Sequence, residues 1–320
     1  MTDGGEIMFR GKIVIVGAGF VGSTIAYTIM CGGLFNDIVL LDINRDKAEG
    51  DAMDMAHGVS FVKPVNIYSG DYSECADADI VVITAGANQK PGETRLDLLR
   101  KNAAIIKDIV DNIMKFAPPD IILLTVTNPV DILTYITYRV SGLPKNQVLG
   151  SGTVLDTSRL KYMISRHIDV DPRNCHTYII GEHGDSEVAA WSISNIAGMS
   201  MPEYARRTGK CTEADLDTMY NKVKNAAYEI IDKKGATYYA IGLAVDRICA
   251  CIAGEENSIL TVSSIFEGEY GLCDVALSVP TKLSGYGVEY ILEVPFGESE
   301  LEGLRSSAET LRKYIKELQV

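Results

Sequence analysis

The feature that most constrains the fold is a glycine-rich segment, GAGFVG at 17–22, between two elements of different periodicity. Before it, Lys12–Gly17 is a short apolar run typical of a buried strand. After it, Phe20–Gly33 carries apolar residues at helical spacing. Glycines at this junction permit a tight turn, and the first amides of the helix can donate to an anion. The pattern GxGxxG in this context predicts a strand–turn–helix unit that binds the pyrophosphate of a dinucleotide.

An acidic residue narrows the choice of dinucleotide. Asp42 ends the second predicted strand, Asp37–Asp42, and lies 20 residues beyond Gly22. A carboxylate at this point accepts hydrogen bonds from a ribose diol and repels a 2′-phosphate, which favours NAD over NADP. A plain glycine turn with a solvated aspartate is the alternative. The residues of this segment that we expect to contact the cofactor are Gly17, Gly19, Phe20, Val21, Gly22 and Asp42.

Short apolar strands alternate with helices through the first half of the chain. Besides the elements above, we predict helices and strands over 44–57, 65–68, 79–85, 93–116, 120–126 and 147–150. Such alternation is typical of a Rossmann fold, an α/β architecture with a doubly wound parallel sheet. We therefore assign residues 1–150 to an NAD-binding domain, with the first ten residues as a tail.

The pattern changes after Gly152. Helices are predicted over 154–168, 214–234 and 299–318. The strand-like runs of this half lie at 176–180, 187–193, 258–266, 275–283 and 287–294. We therefore expect residues 151–320 to form an α+β substrate domain with an antiparallel sheet, and we place the boundary near Gly150 to Gly152.

Composition excludes several classes of function. The chain has 320 residues, is 47% hydrophobic and carries a formal net charge of −13. This acidic excess offers no basic field for nucleic acid, and we interpret it as a solubility feature. We expect no membrane segment or signal peptide, because no apolar run approaches the roughly 20 residues of a span. The seven cysteines lack metal-ligand spacing, so we expect a reduced, cytoplasmic chain without a metal site.

One histidine stands in a turn-like segment, IIGEHGDSEVA at 179–189. His183 can titrate near neutral pH there and move a proton. Asp156 and Arg159 lie three residues apart, on one face of the predicted helix 154–168. The arginine can hold a carboxylate through two parallel hydrogen bonds, and the aspartate can accept the Nδ1 proton of a histidine. An ordinary intrahelical salt bridge between the two is the alternative.

Two further polar segments follow predicted strands. The segment NQKPGETR at 88–95 lies at the carboxyl edge, where substrates bind in open α/β sheets. Pro91 and Gly92 disfavour helix, so the segment could act as a lid whose Arg95 polarises a carbonyl. A surface loop with a solvated arginine is the alternative. Asn128 ends the fifth strand, where it can bind the reacting oxygen or the nicotinamide end of the cofactor, unless it only forms a turn.

The chain resembles the L-lactate dehydrogenase family of the lactate/malate dehydrogenase superfamily. The resemblance is specific through the combination and order of five segments, GAGFVG, NQKPGETRLDL, VTNPVD, LDTSR and GEHGDSE. The resemblance extends from about Lys12 to the C-terminus. It implies that His183 exchanges the proton with Asp156 as its partner, and that Arg159 clamps the substrate carboxylate. It also implies that Arg95 and Asn128 act on the carbonyl oxygen. The other cofactor contacts that it implies are Ala85, Gly86, Ala87, Val126 and again Asn128.

The resemblance also bears on the substrate. It assigns Gln89 to the position where malate dehydrogenases carry an arginine, and a neutral side chain cannot neutralise a second carboxylate. Thr237 resembles the wall of a lactate-type pocket, with Ile241 near the nicotinamide. The resemblance therefore implies NADH-dependent reduction of pyruvate to L-lactate, the last step of anaerobic glycolysis in fermentation.

Three alternatives to this function stay open at the level of sequence. Malate dehydrogenase is the first, with Gln89 as the discriminating residue and Lys90 as a possible partner for a second carboxylate. A non-catalytic NAD-binding module is the second, although it would not need all four polar residues of the predicted centre. An NAD-dependent glycosidase is the third, and it would need a metal site for which no cysteine has an evident role.

Regulation and assembly are further implications of the resemblance. Many bacterial members bind fructose 1,6-bisphosphate between subunits through an arginine and a histidine, and the matching positions here are Lys161 and His176. Lys161 keeps the charge but loses the planar fork of an arginine. The alternative is an ordinary subunit interface that contains this lysine and histidine without binding an effector. The resemblance also implies a homotetramer and raises the question of a cis Asn128–Pro129 bond.

Overall fold

Strands and helices alternate through the first half of the chain, as the sequence pattern predicts. The computed structural model describes residues 11–87, 92, 94–254 and 256–318, without the side chain of Arg95. The predicted tail lies outside these residues. The elements of the first half are β1 (Lys12–Val16), α1 (Phe20–Gly32), β2 (Asp37–Leu41), α2 (Arg45–Ala56), β3 (Asn66–Ser69), β4 (Ile80–Ile83), α3 (Arg95–Ile113), β5 (Ile122–Thr125), α4 (Val130–Ser141) and β6 (Val148–Gly150).

The second half combines long helices with short strands. Its elements are α5 (Val154–Ile168), β7 (Cys175–His176), β8 (Ile179–Ile180), β9 (Val188–Ala189), β10 (Asn195–Ile196), β11 (Met199–Ser200), α6 (Met201–Thr208), α7 (Glu213–Lys234), α8 (Tyr239–Ala253), β12 (Ile259–Leu260), β13 (Ser263–Glu267), β14 (Cys273–Ser278), β15 (Thr281–Ser284), β16 (Gly287–Ile291) and α9 (Glu298–Leu318).

One large sheet connects the two halves. Its order is β14-β13-β6-β5-β4-β1-β2-β3, and β1 to β6 pair in parallel. The doubly wound parallel sheet is therefore confirmed. Strands β13 and β14 extend it in antiparallel fashion, with Ser263 opposite Gly150. The antiparallel strands of the second half are thus divided between this edge and smaller sheets, of which one contains β12, β15 and β16.

Both faces of the large sheet are buried at its centre, which explains why β4 is entirely apolar and why β1 and β2 are apolar after their first residue. On β1, Ile13 and Ile15 belong to the core that includes residues of α1 and α8. Val14 and Val16 face the opposite core, which includes residues of α3, α4 and α9. Helices α8 and α9 come from the second half of the chain, so its folding completes both layers around the sheet.

Several predicted elements differ in the structure. The run predicted at 275–283 divides into β14 and β15 at Pro280, which has no amide hydrogen for a strand ladder. The runs at 258–266 and 176–180 each divide into two short strands, and only Val188–Ala189 of the run at 187–193 is extended. Helices α4, α6 and α8 were not predicted. None of the described helices has both the length and the apolar character needed to cross a membrane.

Candidate active site

The glycine-rich turn between β1 and α1 has no room for side chains at two of its three glycines. Gly17 has a φ of 106°, and a Cβ there would lie 2.7 Å from the backbone nitrogen of Ala85. A Cβ on Gly22 would lie 1.8 Å from the carbonyl oxygen of Gly17. A Cβ on Gly19 would meet no atom of the described residues within 4 Å. The turn is therefore closely packed from behind and open at Gly19, where a ligand can approach the backbone.

The start of α1 supplies amide donors to this opening. Gly19 is the N-cap residue, and no side chain of the described region caps the helix there. The amides of Phe20 and Val21 therefore point outward at the positive end of a 13-residue helix. This donor set fits a pyrophosphate, as the sequence predicts for a dinucleotide.

Asp42 follows β2 and shapes the same turn. Its Oδ2 accepts a hydrogen bond from the Ala18 amide at 2.6 Å, and its Oδ1 accepts one from the Asn44 amide at 2.8 Å. Lys47 donates to the carbonyl of Ala18. Each carboxylate oxygen keeps a second lone pair that can accept from a ribose hydroxyl. The side chain is partly exposed, so the geometry agrees with the predicted preference for a 2′-hydroxyl.

The ends of β4 and β5 meet beside this turn. The carboxamide of Asn102, on α3, accepts from the Ala87 amide at 2.8 Å and donates to the Asn128 carbonyl at 3.2 Å. The Thr127 hydroxyl donates to the Ala85 carbonyl at 2.9 Å, and the Asn128–Pro129 peptide bond is cis. These contacts bring the remaining predicted cofactor residues to one sheet edge: Ala85, Gly86, Ala87, Val126 and Asn128.

Two alanine substitutions in the turn are expected to separate binding from folding. Gly19→Ala should leave the melting temperature close to wild type and weaken NADH binding by about tenfold or more, because the methyl group enters the ligand space. Gly22→Ala should lower stability by about 1–3 kcal/mol, because its Cβ overlaps the Gly17 carbonyl. Thermal unfolding and NADH fluorescence titration measure the two effects. Unchanged NADH affinity in Gly19→Ala would place the pyrophosphate elsewhere.

Asp156 connects the predicted proton donor to the predicted carboxylate clamp. It lies in the first turn of α5 and is 2% exposed. Its Oδ2 lies 2.5 Å from Nδ1 of His183, and its Oδ1 accepts from a terminal nitrogen of Arg159 at 2.7 Å. The intrahelical salt bridge considered from the sequence does form, and the same carboxylate also holds the histidine. This leaves Nε2 of His183 for proton exchange.

The electrostatics of this pair favour a charged imidazole. Burial alone would lower the pKa of His183, but the charge of Asp156 and its hydrogen bond outweigh that effect and raise the pKa to about 9. Burial opposes ionisation of Asp156 as well, yet His183 and Arg159 hold the pKa of its carboxyl below the ordinary value. At neutral pH the site therefore carries an imidazolium that can give up one proton.

The centre opens into a cavity of about 560 Å³. Asn128, Asp156, Arg159 and His183 all line it, so the structure brings together residues from both halves of the chain. Helices α3, α7 and α9 form the other walls, through Leu98, Leu99, Lys224, Tyr228, Thr310 and Tyr314 among others.

A second buried carboxyl lies beside this centre. Glu187 is 5% exposed, and its Oε1 has no hydrogen-bond partner among the described residues. Burial, reinforced by the nearby charge of Asp156, raises the pKa of Glu187 to about 8. It is therefore mostly neutral at pH 7 and adds little charge to the cavity.

The other predicted site residues do not line the cavity or lie outside the described region. Gln89 and the side chain of Arg95 lie outside it, although Thr94 caps the helix that Arg95 begins. Thr237 precedes α8, and Ile241 packs against the core beneath α1 together with Val21. The two candidate effector residues lie on α5 and β7: Lys161 and His176.

Two buried polar residues of the site were not predicted. Asn102 joins the backbones of Ala87 and Asn128, and Asp131 accepts a hydrogen bond from the His183 amide at 2.7 Å. Each is 2% exposed and lies on a buried helix face, where a polar side chain needs a specific partner. The sequence carries little signal for them, because Asn102 follows two charged residues and Asp131 shares its helix with two threonines.

The described residues include one cluster with possible metal-ligand atoms, His167, Cys211 and Asp215, all within 4.8 Å of one another. Asp215 Oδ2 already accepts from the amide and hydroxyl of Thr212, at 2.8 and 2.6 Å, and so caps α7. His167 lies 3.6 Å from the same oxygen. We interpret the cluster as a helix cap with a neighbouring histidine.

Comparison with known families agrees with this geometry. Residues 11–150 match the model of the lactate/malate dehydrogenase NAD binding domain. Residues 153–319 match the model of the lactate/malate dehydrogenase alpha/beta C-terminal domain. Together the two matches cover nearly the whole chain.

Individual relatives agree as well. The L-lactate dehydrogenase of Acetivibrio thermocellus is 59% identical over 310 residues, covering 97% of this chain and 98% of that protein. L-lactate dehydrogenase 1 of Clostridium acetobutylicum is 56% identical over 305 residues, covering 95% and 97%.

Solved structures show the same fold. A lactate dehydrogenase from a Medee basin deep-sea metagenome library superposes with a TM-score of 0.96 at 46% identity, covering 98% of this chain and 100% of that one. The minor L-lactate dehydrogenase of Enterococcus mundtii in its ligands-bound form gives 0.93 at 46% identity, covering 95% and 97%. This chain therefore belongs to the lactate/malate dehydrogenase family and is an NAD-dependent oxidoreductase.

Proposed function

We propose that the chain is an L-lactate dehydrogenase, which interconverts pyruvate and L-lactate. The observation that carries the proposal is the double contact of Asp156, which holds His183 through one oxygen and Arg159 through the other. A substrate carboxylate on Arg159 would thereby place its neighbouring carbonyl beside the imidazole. We further propose that residues 1–150 bind the cofactor and that residues 151–320 carry this catalytic group.

The proposed roles follow from charge and reach. NADH, when bound, supplies the hydride that reaches the carbonyl carbon. Arg159 grips the carboxylate of pyruvate, and protonated His183 delivers the Nε2 proton to the carbonyl oxygen. Asn128 and Arg95 stabilise the charge that develops on this oxygen. In lactate oxidation, neutral His183 accepts the hydroxyl proton, and Asp156 stabilises the resulting imidazolium.

Substrate choice is the first test of the proposal. We expect pyruvate to be preferred over oxaloacetate by at least about 100-fold in kcat/KM, because Gln89 leaves a second carboxylate unpaired. NADH oxidation with the two oxo acids, measured side by side, checks this result. A preference for oxaloacetate would mean that Lys90 or another cation pairs with that carboxylate, and the function would be malate dehydrogenase. NADH binding without turnover of either acid would indicate a non-catalytic module.

The protonation state of His183 predicts opposite pH dependences for the two directions. Its pKa is raised to about 9, so the donor form is present below that pH and is lost above it. Pyruvate reduction should therefore fall about tenfold per pH unit above 9, whereas lactate oxidation should rise toward the same pH. Profiles of kcat/KM in both directions measure the effect. Two profiles that change in the same direction would contradict the role of His183.

We also propose fructose 1,6-bisphosphate as an effector, bound by Lys161 and His176 at a subunit contact. Burial lowers the pKa of Lys161, and the nearby charge of Arg247 lowers it further. An anion bound beside Lys161 and Arg247 would therefore be stabilised. The His176 side chain is exposed. Fructose 1,6-bisphosphate should lower the apparent KM for pyruvate. A pyruvate saturation curve that does not change at millimolar effector would contradict this proposal.

The wider setting is proposed on similar grounds. A homotetramer is supported by exposed apolar and aromatic side chains on α1 and α8, namely Tyr27, Tyr239 and Leu243. Sedimentation equilibrium should give four times the chain mass.

A cytoplasmic location is supported by seven cysteines that are all unpaired in the described region. Because pyruvate reduction regenerates NAD, we place the enzyme at the end of anaerobic glycolysis.

A further inference from the structure

A buried carboxylate holds the backbone of the proton-transfer histidine. Asp131 lies in the first turn of α4 and is 2% exposed. Its Oδ2 accepts the hydrogen bond from the His183 amide at 2.7 Å, and its Oδ1 accepts one from the Ser263 hydroxyl at 2.6 Å. One side chain thus connects α4, β13 and the turn after β8, which are far apart in sequence.

Asp131 carries its charge at a buried position, where loss of hydration opposes ionisation. Burial raises the pKa of Asp131 to about 6, although the hydrogen bonds from Ser263 and His183 lower it. Most molecules therefore carry the carboxylate at neutral pH. The charged groups that face it are His183, which stabilises the anion, and Glu182, which destabilises it. The N-terminal end of α4 also favours a negative charge in its first turn.

The same charge acts on the imidazole. Three ionised groups face the ring of His183: Asp156 at Nδ1, Asp131 behind the backbone, and Arg159. The two carboxylates raise the pKa of the imidazole, whereas the arginine lowers it. Asp131 therefore acts on His183 in two ways, through a hydrogen bond to its main chain and through the field at its ring.

We propose that Asp131 is a positioning residue for proton transfer, which fixes the turn that presents His183 and, with Asp156, stabilises the imidazolium. The inference rests on the proposed function, in which His183 exchanges the substrate proton. Asp131 acts only through His183. Its carboxylate is engaged by Ser263 and the His183 amide, so neither oxygen is assigned to the substrate.

Asp131→Asn tests the proposal because it keeps the size of the side chain and removes its charge. In the NADH complex, the falling alkaline limb of pyruvate reduction should move to lower pH by about one unit, the shift expected for loss of one nearby carboxylate. At pH 7, kcat/KM should change by less than about tenfold, because the carboxamide can still accept from the His183 amide and donate to the Ser263 hydroxyl. Ser263→Ala is the matched control, since it removes one hydrogen bond but keeps the carboxylate. Its alkaline limb should coincide with that of the wild type.

The possible results are distinguishable. An Asp131→Asn variant that binds NADH normally and keeps the wild-type alkaline limb would overturn the proposal. If Asp131→Asn does not fold, Asp131→Glu decides, because it retains the charge but displaces the hydrogen-bonding oxygens. Its alkaline limb should stay in place while kcat/KM falls, and a limb displaced to lower pH would also overturn the proposal. Absence of pyruvate reduction in the wild-type chain would overturn the proposed function, and this inference with it.

Discussion

His183→Asn is expected to abolish pyruvate reduction while NADH binding is retained. The carboxamide can still donate a hydrogen bond to Asp156, so the buried carboxylate keeps a partner and the turn keeps its packing. It carries no proton that it can release to a carbonyl oxygen. General acid catalysis contributes about 10²–10⁴-fold, and we expect a loss of about 10³-fold or more in kcat. Single-turnover oxidation of preformed NADH complex measures this loss.

The control for this variant is a histidine remote from the cavity. His57 is an exposed residue at the C-terminal end of α2, and His57→Asn should retain activity within about twofold. NADH fluorescence titration should give the same affinity for the wild type and both variants. Near-normal turnover of His183→Asn would contradict the assignment of the proton donor.

The parts of the fold that could be predicted are those with a local signal. The strands and helices of the first half follow from alternating apolar runs and turn residues. Helix α4 escaped prediction although Asp131, Thr134 and Thr137 recur at helical spacing. Its residues 130–137 are all buried, so it lacks the solvent-exposed polar face that marks most amphipathic helices. The pairing of β13 with β6 could not be read from the sequence, since it joins Ser263 to Gly150 across more than 100 residues.

The candidate site was predictable to the extent that its residues carry local patterns. The glycine turn predicts a pyrophosphate site, and the spacing of Asp156 and Arg159 predicts that both lie on one helix face. The distance of 2.5 Å between Asp156 and His183 depends on how α5 packs against the turn after β8, which no local pattern encodes. Asp131 was missed for a related reason, because its partners lie 52 and 132 residues away.

Arg159→Lys is expected to raise the KM for pyruvate strongly while NADH affinity stays unchanged. The Arg159 side chain is 14% exposed, and one terminal nitrogen of its guanidinium donates to Asp156. Its planar fork leaves further N–H donors for two parallel hydrogen bonds to a substrate carboxylate. Loss of one charge-assisted hydrogen bond costs about 1.5–3 kcal/mol, so kcat/KM should fall by about 10–150-fold at least. Steady-state kinetics at saturating NADH measure the change.

The matched control is Arg166→Lys on the same helix, at an exposed position remote from the cavity lining. It should leave KM and kcat at wild-type values, because this exposed arginine has no bidentate partner among the described residues. A lysine at 159 can keep the salt bridge to Asp156 but cannot keep that bridge and also grip both carboxylate oxygens in one plane. A wild-type KM in Arg159→Lys would therefore mean that Arg159 only forms the intrahelical salt bridge, and that another group binds the substrate carboxylate.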